Sequence, residues 1–387
     1  MRIKLIILVL ALSTLFASGE AVARSWRVEL DGSGDFTDIQ PAVEASAAGD
    51  SILIGPGRFD TFHPCVAPAW TEKTVVWITK DNLTLVGSGQ GVTIIGPTTY
   101  FAPLGRDPKG ICSIDGFVAS IGNLTIENID TGIYWWRGSL VLEDCTITGG
   151  NDQSFGGLAL WPYGATIRNC TIDTKFAGDS CIVGAASRDI LFENCTFKGF
   201  GYGPTITDST QNVRFIGCDF LNAINGLHCD HQSTVELADC TFQSISVTAI
   251  NVWNGSRVTL DRVTIDGART GISAAGGGIV TGTNIVVQGA WSEAVLPCCN
   301  SFVTIHNSHI LAGPGHAVQC LGTWAHSQFP DLSGNYWGTT DAEAIRASIW
   351  DANDTSETNG VVSFEPFADG PVPTESTSWG DLKASFR

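Results

Sequence analysis

Four titratable side chains stand close enough in sequence to share one piece of chemistry: Asp208, His228, Asp230 and His231. Two neighbouring carboxylates can divide into a general acid and a general base, and an imidazole beside one of them tunes its proton affinity. Asp208, His228 and Asp230 are therefore the candidate catalytic residues. A His-Asp-His group can also hold a metal, but this spacing matches no strong ligand pattern, so no metal is assigned. The candidate substrate-binding residues are Tyr134, Trp136, Trp161, His231, Asn251 and Trp253. Sugar rings pack their C–H faces on aromatic side chains while their hydroxyls seek hydrogen bonds, and this set supplies both. The plainer alternative is that the titratable residues are solvated turn residues and the rings only cover backbone.

These residues meet only if the chain coils. Five cysteines recur in nearly the same phrase: EDCTI at Cys145, RNCTI at Cys170, ENCTF at Cys195, IGCDF at Cys218 and LADCTF at Cys240, at intervals of 25, 25, 23 and 22 residues. Such a period belongs to solenoids. Ile129 before the series and Val263 and Ser308 after it are assigned to the same inward slot. Short β-branched runs flank each cysteine, a second run lies upstream on each turn, and Gly, Asn, Asp and Ser separate them. With no helix between the runs, the pattern predicts an all-β fold, a right-handed parallel β-helix. Residues at one offset then form columns spaced about 4.8 Å per rung. One column is predicted to contain Trp136, Trp161, Gly184, Ser209, Asp230, Trp253 and Ala275. The exposed slot before it takes Tyr134, Thr207, His228 and Asn251, and the slot after it Arg137 and His231.

The remaining cysteines divide by position. The ladder, Cys181 and Cys229 are expected as buried thiols, because free cysteine packs as a small hydrophobe. Cys65 and Cys112 lie outside the repeat and are the candidate disulfide, while Cys298, Cys299 and Cys320 are close enough for a second bridge whose pair the sequence does not select.

Residues 1–23 have Arg2 and Lys4, an apolar run from Leu5 to Phe16 and small residues before Arg24, the form of a signal peptide cleaved near Ala23. No apolar stretch reaches the roughly 20 residues a membrane helix needs. A single domain is expected over 24–369. Its N-terminal cap, 24–60, includes a short helix with Ile39 and Val43 on one face. Its C-terminal cap, 333–369, includes a capping box at Thr340 and Glu343, a helix presenting Ile345, Ile349 and Trp350, and a return strand from Val361 to Phe367. Residues 370–387 read as a tail. The formal charge of −18 excludes the basic stripe that nucleic-acid binding needs.

DGSGDFTDIQPAV, GDSILIGPGRF, NLTLVGSGQGVTIIG, the repeated NCT phrase and the closing NYWG and SFEPF together resemble the pectin-lyase-like right-handed parallel β-helix proteins. The resemblance covers nearly all of the chain beyond residue 23. It implies the fold rather than an activity, since this scaffold serves lyases, hydrolases, esterases, epimerases and noncatalytic surface proteins. The paired aspartates and LGRPW phrase of pectin methylesterases have no counterpart. Thr79-Lys80 replaces the Asp-His that should follow WI in pectate lyases, and of the polygalacturonase phrases only Gly315-His316-Ala317 is faintly similar to one.

Two functions follow as expectations. The first is a secreted, monomeric protein that binds an extracellular polysaccharide in a lateral groove and, if an enzyme, cleaves it as a lyase or glycoside hydrolase. The second is a noncatalytic cell-surface or adhesive solenoid. No cofactor is expected: Asp31 to Asp35 resembles part of a calcium loop, but lacks the downstream ligands and reads more simply as a turn.

Overall fold

The computed structural model describes residues 23–67, 70–100, 108–149, 156–174, 181–184, 186–199, 201–325 and 329–373. The chain is a right-handed parallel β-helix of three sheets with 12, 11 and 13 strands among these residues. Each full turn places one short strand in each sheet. Sheet A begins with Ser25–Val28 and ends with Phe302–His306, sheet B runs from Gly57–Phe59 to His309–Ile310, and sheet C from His63–Ala67 to Ile349–Trp350. Only the hairpin His63–Ala67 with Trp70–Trp77 is antiparallel among the named pairs.

The corner between sheets A and B explains the repeated phrase. One residue on each turn takes a left-handed conformation, as Asn169 (φ 51°) and Asn194 (φ 52°) do, and the next residue is thrown inward. Asparagine tolerates this conformation because its side chain bonds locally. Cys145, Cys170, Cys195, Cys218 and Cys240 fill the inward slot and are buried thiols, each within reach of the carbonyl two residues earlier, as Cys170 Sγ is of the Arg168 oxygen at 3.0 Å. Val263 and Ser308 continue the slot. Before the series, however, the slot holds Leu124, not Ile129: Thr125 pairs with Thr146, which sets Leu124 beside Cys145, and Ile129 lies at the far end of its strand. Cys181 and Cys229 are buried thiols as expected. Phenylalanines paired in register stack beside the ladder, Phe192 on Phe215 at 4.7 Å and Phe220 on Phe242 at 4.3 Å. Contact with neighbouring thiols and burial both push the Cys170 and Cys218 thiols up. Because all five are buried, the ladder thiols should resist alkylation in the native protein and react after denaturation without reductant. Peptide mass mapping that finds them oxidised in pairs would overturn this packing.

Cys65 and Cys112 are also buried thiols, their sulfurs 3.6 Å apart, so they are neighbours rather than a bridge. The one disulfide among the described residues joins Cys298 to Cys299, and Cys320 is a thiol that burial pushes up to about 12.

Helix α1 (Ile39–Ala45) closes the first coil end, burying Ile39, Ala42 and Val43. Its Gln40 accepts from the Trp77 backbone N–H at 2.7 Å and faces the Trp77 carbonyl at 3.4 Å, satisfying backbone groups that water would otherwise have to reach. At the other end α2 (Ala342–Ala347) is capped by Asp341, not Thr340: the Asp341 carboxylate accepts from the N–H groups of Glu343 and Ala344. Ile345 is buried, while Ile349–Trp350 is already a strand of sheet C. The expected return strand at Val361 does not form. The Val362 N–H is taken by the buried carboxylate of Asp351 at 3.0 Å, leaving a single bridge at Ser363. Among the described residues no helix is long and apolar enough to cross a membrane. The expected signal peptide and most of the tail lie outside the described residues.

Candidate functional site

Register along sheet C decides which side chains share a face. The pairings Trp136 with Trp161, Val183 with Ile206, and Ile206 with Cys229 carry one outward column through Trp136, Trp161, Gly184, Thr207 and Asp230 to Trp253. The column before it contains Tyr134, Ala159, Ile182, Thr205, His228 and Asn251. Seven of the nine candidate residues thus fall where the sequence places them: Tyr134, Trp136, Trp161, His228, Asp230, Asn251 and Trp253. Two companions shift: Thr207, not Ser209, shares the column of Asp230, and Thr205 takes the place expected for Thr207. The cause is Pro204, which occupies the first inward slot of that rung, so that the apolar Ile206 is the second inward residue rather than the first.

Two clusters result. In the first, Trp161 lies 5.5 Å from Trp136 and 5.2 Å from Tyr134, ring centre to ring centre, and Lys109 Nζ stands 4.9 Å from the Tyr134 ring. The second lies three rungs on, about 14 Å away at about 4.8 Å per rung. Between them neighbouring side chains close over Gly184: a Cβ placed there would lie 3.3 Å from Trp161 Nε1 and 3.2 Å from Asp208 Oδ2.

The second cluster is a chain of polar contacts. Asp230 Oδ1 accepts from the His231 backbone N–H at 2.8 Å and from Asn254 Nδ2 at 2.7 Å. Its Oδ2 faces His228 Nε2 at 3.6 Å and His231 Nδ1 at 3.2 Å. Asn251 Nδ2 donates to His228 Nδ1 at 3.2 Å, and the Trp253 and His228 rings meet in a T-shaped arrangement with ring centres 6.0 Å apart. His231 Nδ1 also meets Thr207 Oγ1 at 3.1 Å, and that hydroxyl donates to Asp208 Oδ1 at 3.4 Å. Asp208 is exposed in a left-handed turn (φ 56°), so it joins the cluster only through Thr207 and His231. The Asp230 side chain is 14% exposed against 60% for His231. Burial holds the His228 imidazole below its ordinary pKa, against the pull of the Asp230 carboxylate. Among the described residues no group of three His, Cys, Asp or Glu side chains is placed to hold a metal.

Sequence reasoning missed Asn254 and Lys109 as members of this face. Asn254 follows Trp253 as His231 follows Asp230, so the column count contained the signal. Lys109 comes after an insertion that breaks the repeat, and no periodicity marks it.

The right-handed beta helix region family matches residues 109–265 and 205–329, together more than half of the chain, and the chain belongs to that family. No curated protein matches significantly. Similar solved structures include ORF18 of Geobacillus virus E2 (15% identity, TM-score 0.41, 73% of this chain and 59% of that one). Others are the A-module of an Azotobacter vinelandii mannuronan C-5 epimerase (13%, 0.39, 86% and 96%) and a PL6 family alginate lyase (12%, 0.43, 90% and 53%). The chain spans little more than half the length of the first and the last of these. At such identities and scores nothing about substrate or reaction is taken from them.

Proposed function

We propose that this protein binds an extracellular polysaccharide along the outward face of sheet C, and that His228 and Asp230 move the protons if a bond is broken there. The observation that carries this reading is the shared column: two tryptophans on neighbouring rungs, with ring centres 5.5 Å apart, and a titratable group beside a third tryptophan lie in one line. A polymer lying along that line would rest sugar faces on Trp136 and Trp161 while its hydroxyls meet Thr207, His231 and Asn254. Asp230, held by two donors on Oδ1, keeps Oδ2 toward the two imidazoles, where it can act as a base. His228, whose proton affinity burial lowers, can take or return a proton, and Asp208 is the second carboxylate of the network.

Incubation with plant, algal and microbial polysaccharides, reading both affinity and new reducing or unsaturated ends, tests the proposal. Replacing Trp136 and Trp161 together by alanine should weaken binding by about 1–3 kcal/mol while leaving the fold intact, since both rings lie outside the core. Equal affinity in that double variant would remove the platform from this face. Binding without any new chain ends would favour the adhesive solenoid instead.

A further inference from the structure

We infer that Asn251 is a positioning residue rather than a sugar-binding one: its amide holds the His228 ring with Nε2–H directed at Asp230. Asn251 and His228 are register partners on adjacent strands of sheet C, so their side chains stand side by side on the same face. Asn251 Nδ2 is 3.2 Å from His228 Nδ1, and an amide nitrogen can only donate, which leaves Nδ1 bare and puts the proton on Nε2. That nitrogen faces Asp230 Oδ2 at 3.6 Å. The Asn251 carbonyl oxygen is sealed from solvent and has no partner, so it is not offered to a sugar hydroxyl. A buried, unsatisfied oxygen costs free energy that an aliphatic side chain would avoid. The bond to His228 is what an asparagine gains at this position.

The groups facing His228 from the packed elements can be named. Beyond the end of its own strand (Asn225–Cys229) come Asp230 and His231. The strand Thr205–Ile206 contributes the uncharged Thr205, and Thr248–Val252 contributes Asn251, followed by Trp253. Among the described residues Asp230 is the one anion in direct contact, and Asn251 therefore decides which nitrogen faces it.

The inference rests on the reading of His228 as part of the site, but its test needs no substrate. Long-range 1H–15N correlation spectra of the full chain, recorded across pH, report the tautomer and titration of His228. In the parent, Nε2 should carry the proton and the ring should titrate below the ordinary histidine value of about 6.5. Asn251→Asp puts an anion beside Nδ1; the proton should move to Nδ1 and the titration should rise by about 1–3 units. Asn251→Leu, of similar size, should leave the titration depressed but mix the tautomers. A parent ring protonated on Nδ1, or an Asn251→Asp protein with tautomer and titration unchanged, would overturn the assignment. If a cleaved glycan is found, Asn251→Asp should also shift the acidic limb of its kcat/KM profile upward. A correct tautomer with cleavage indifferent to Asp230 would sink the proton-transfer proposal and leave the positioning role standing.

Discussion

Cys195→Asp should destabilise the protein by about 4 kcal/mol at pH 7, because burial raises the carboxyl by about 3–5 pKa units and about 1.4 kcal/mol is lost for each of the roughly three pH units between its unfolded value of about 3.9 and pH 7. Cys195 is 1% exposed, its sulfur lies 3.4 Å from the carbonyls of Ile167 and Glu193, and its ladder neighbours are the thiols Cys170 and Cys218. A carboxylate there would face carbonyl oxygens and have no cation, so it would be held in its neutral form. The folded-state pKa of the new group then lies above its unfolded value, and the folded state binds more protons. The penalty is full above the folded pKa and disappears as pH falls toward the unfolded value of about 3.9. Urea titrations of variant and parent between neutral and acidic pH should show the gap closing on acidification. Cys195→Ser is the control: Ser308 occupies the same slot and donates to the His306 carbonyl at 2.8 Å, so the slot accepts a hydroxyl. A gap that is small at pH 7, or independent of pH, would mean that the ladder is not sealed.

The coil was legible because its corners repeat a chemical requirement, a left-handed residue followed by an inward small apolar one, and NCT meets it on successive turns. The face was legible for the same reason, since a column is only an offset counted from an inward residue. Counting failed where that residue is not recognisably apolar. Pro204 disguised the first inward slot of its rung and displaced Thr207 and Ser209 by two positions. In the slot series the true first member is NLT, where Leu124 follows Asn123 in the same left-handed turn (φ 56°) as the asparagines of the later phrases, and IENID imitates the pattern at the far end of the strand that follows. The caps were legible as helices but not in detail, because tertiary partners outside the local pattern decide them. Asp351, buried and bonded to Arg346, Asn353 and Val362, takes the N–H that a return strand would have used. Thiols from separate insertions, such as Cys65 and Cys112, are brought together by pairing that no spacing encodes.

Asp230→Asn should lower turnover by roughly 100-fold or more on any polysaccharide the parent cleaves, with affinity nearly intact, as expected for loss of a general base or acid. Asparagine matches the carboxylate in size and can still accept from the His231 N–H and Asn254 through one oxygen, so the turn should keep its shape. What it removes is the charge and lone pair on the Oδ2 side, between His228 and His231. Because that charge opposes the effect of burial on His228, its removal should also lower the titration of His228 further. The same spectra that report Asn251→Asp would detect this shift. The two readouts separate outcomes that turnover alone would confuse. A His228 titration that falls with a rate that does not would show the pair to be electrostatically coupled but idle in cleavage, and would eliminate Asp230 as the proton carrier. A rate that falls together with affinity would instead place Asp230 among the groups that hold the sugar.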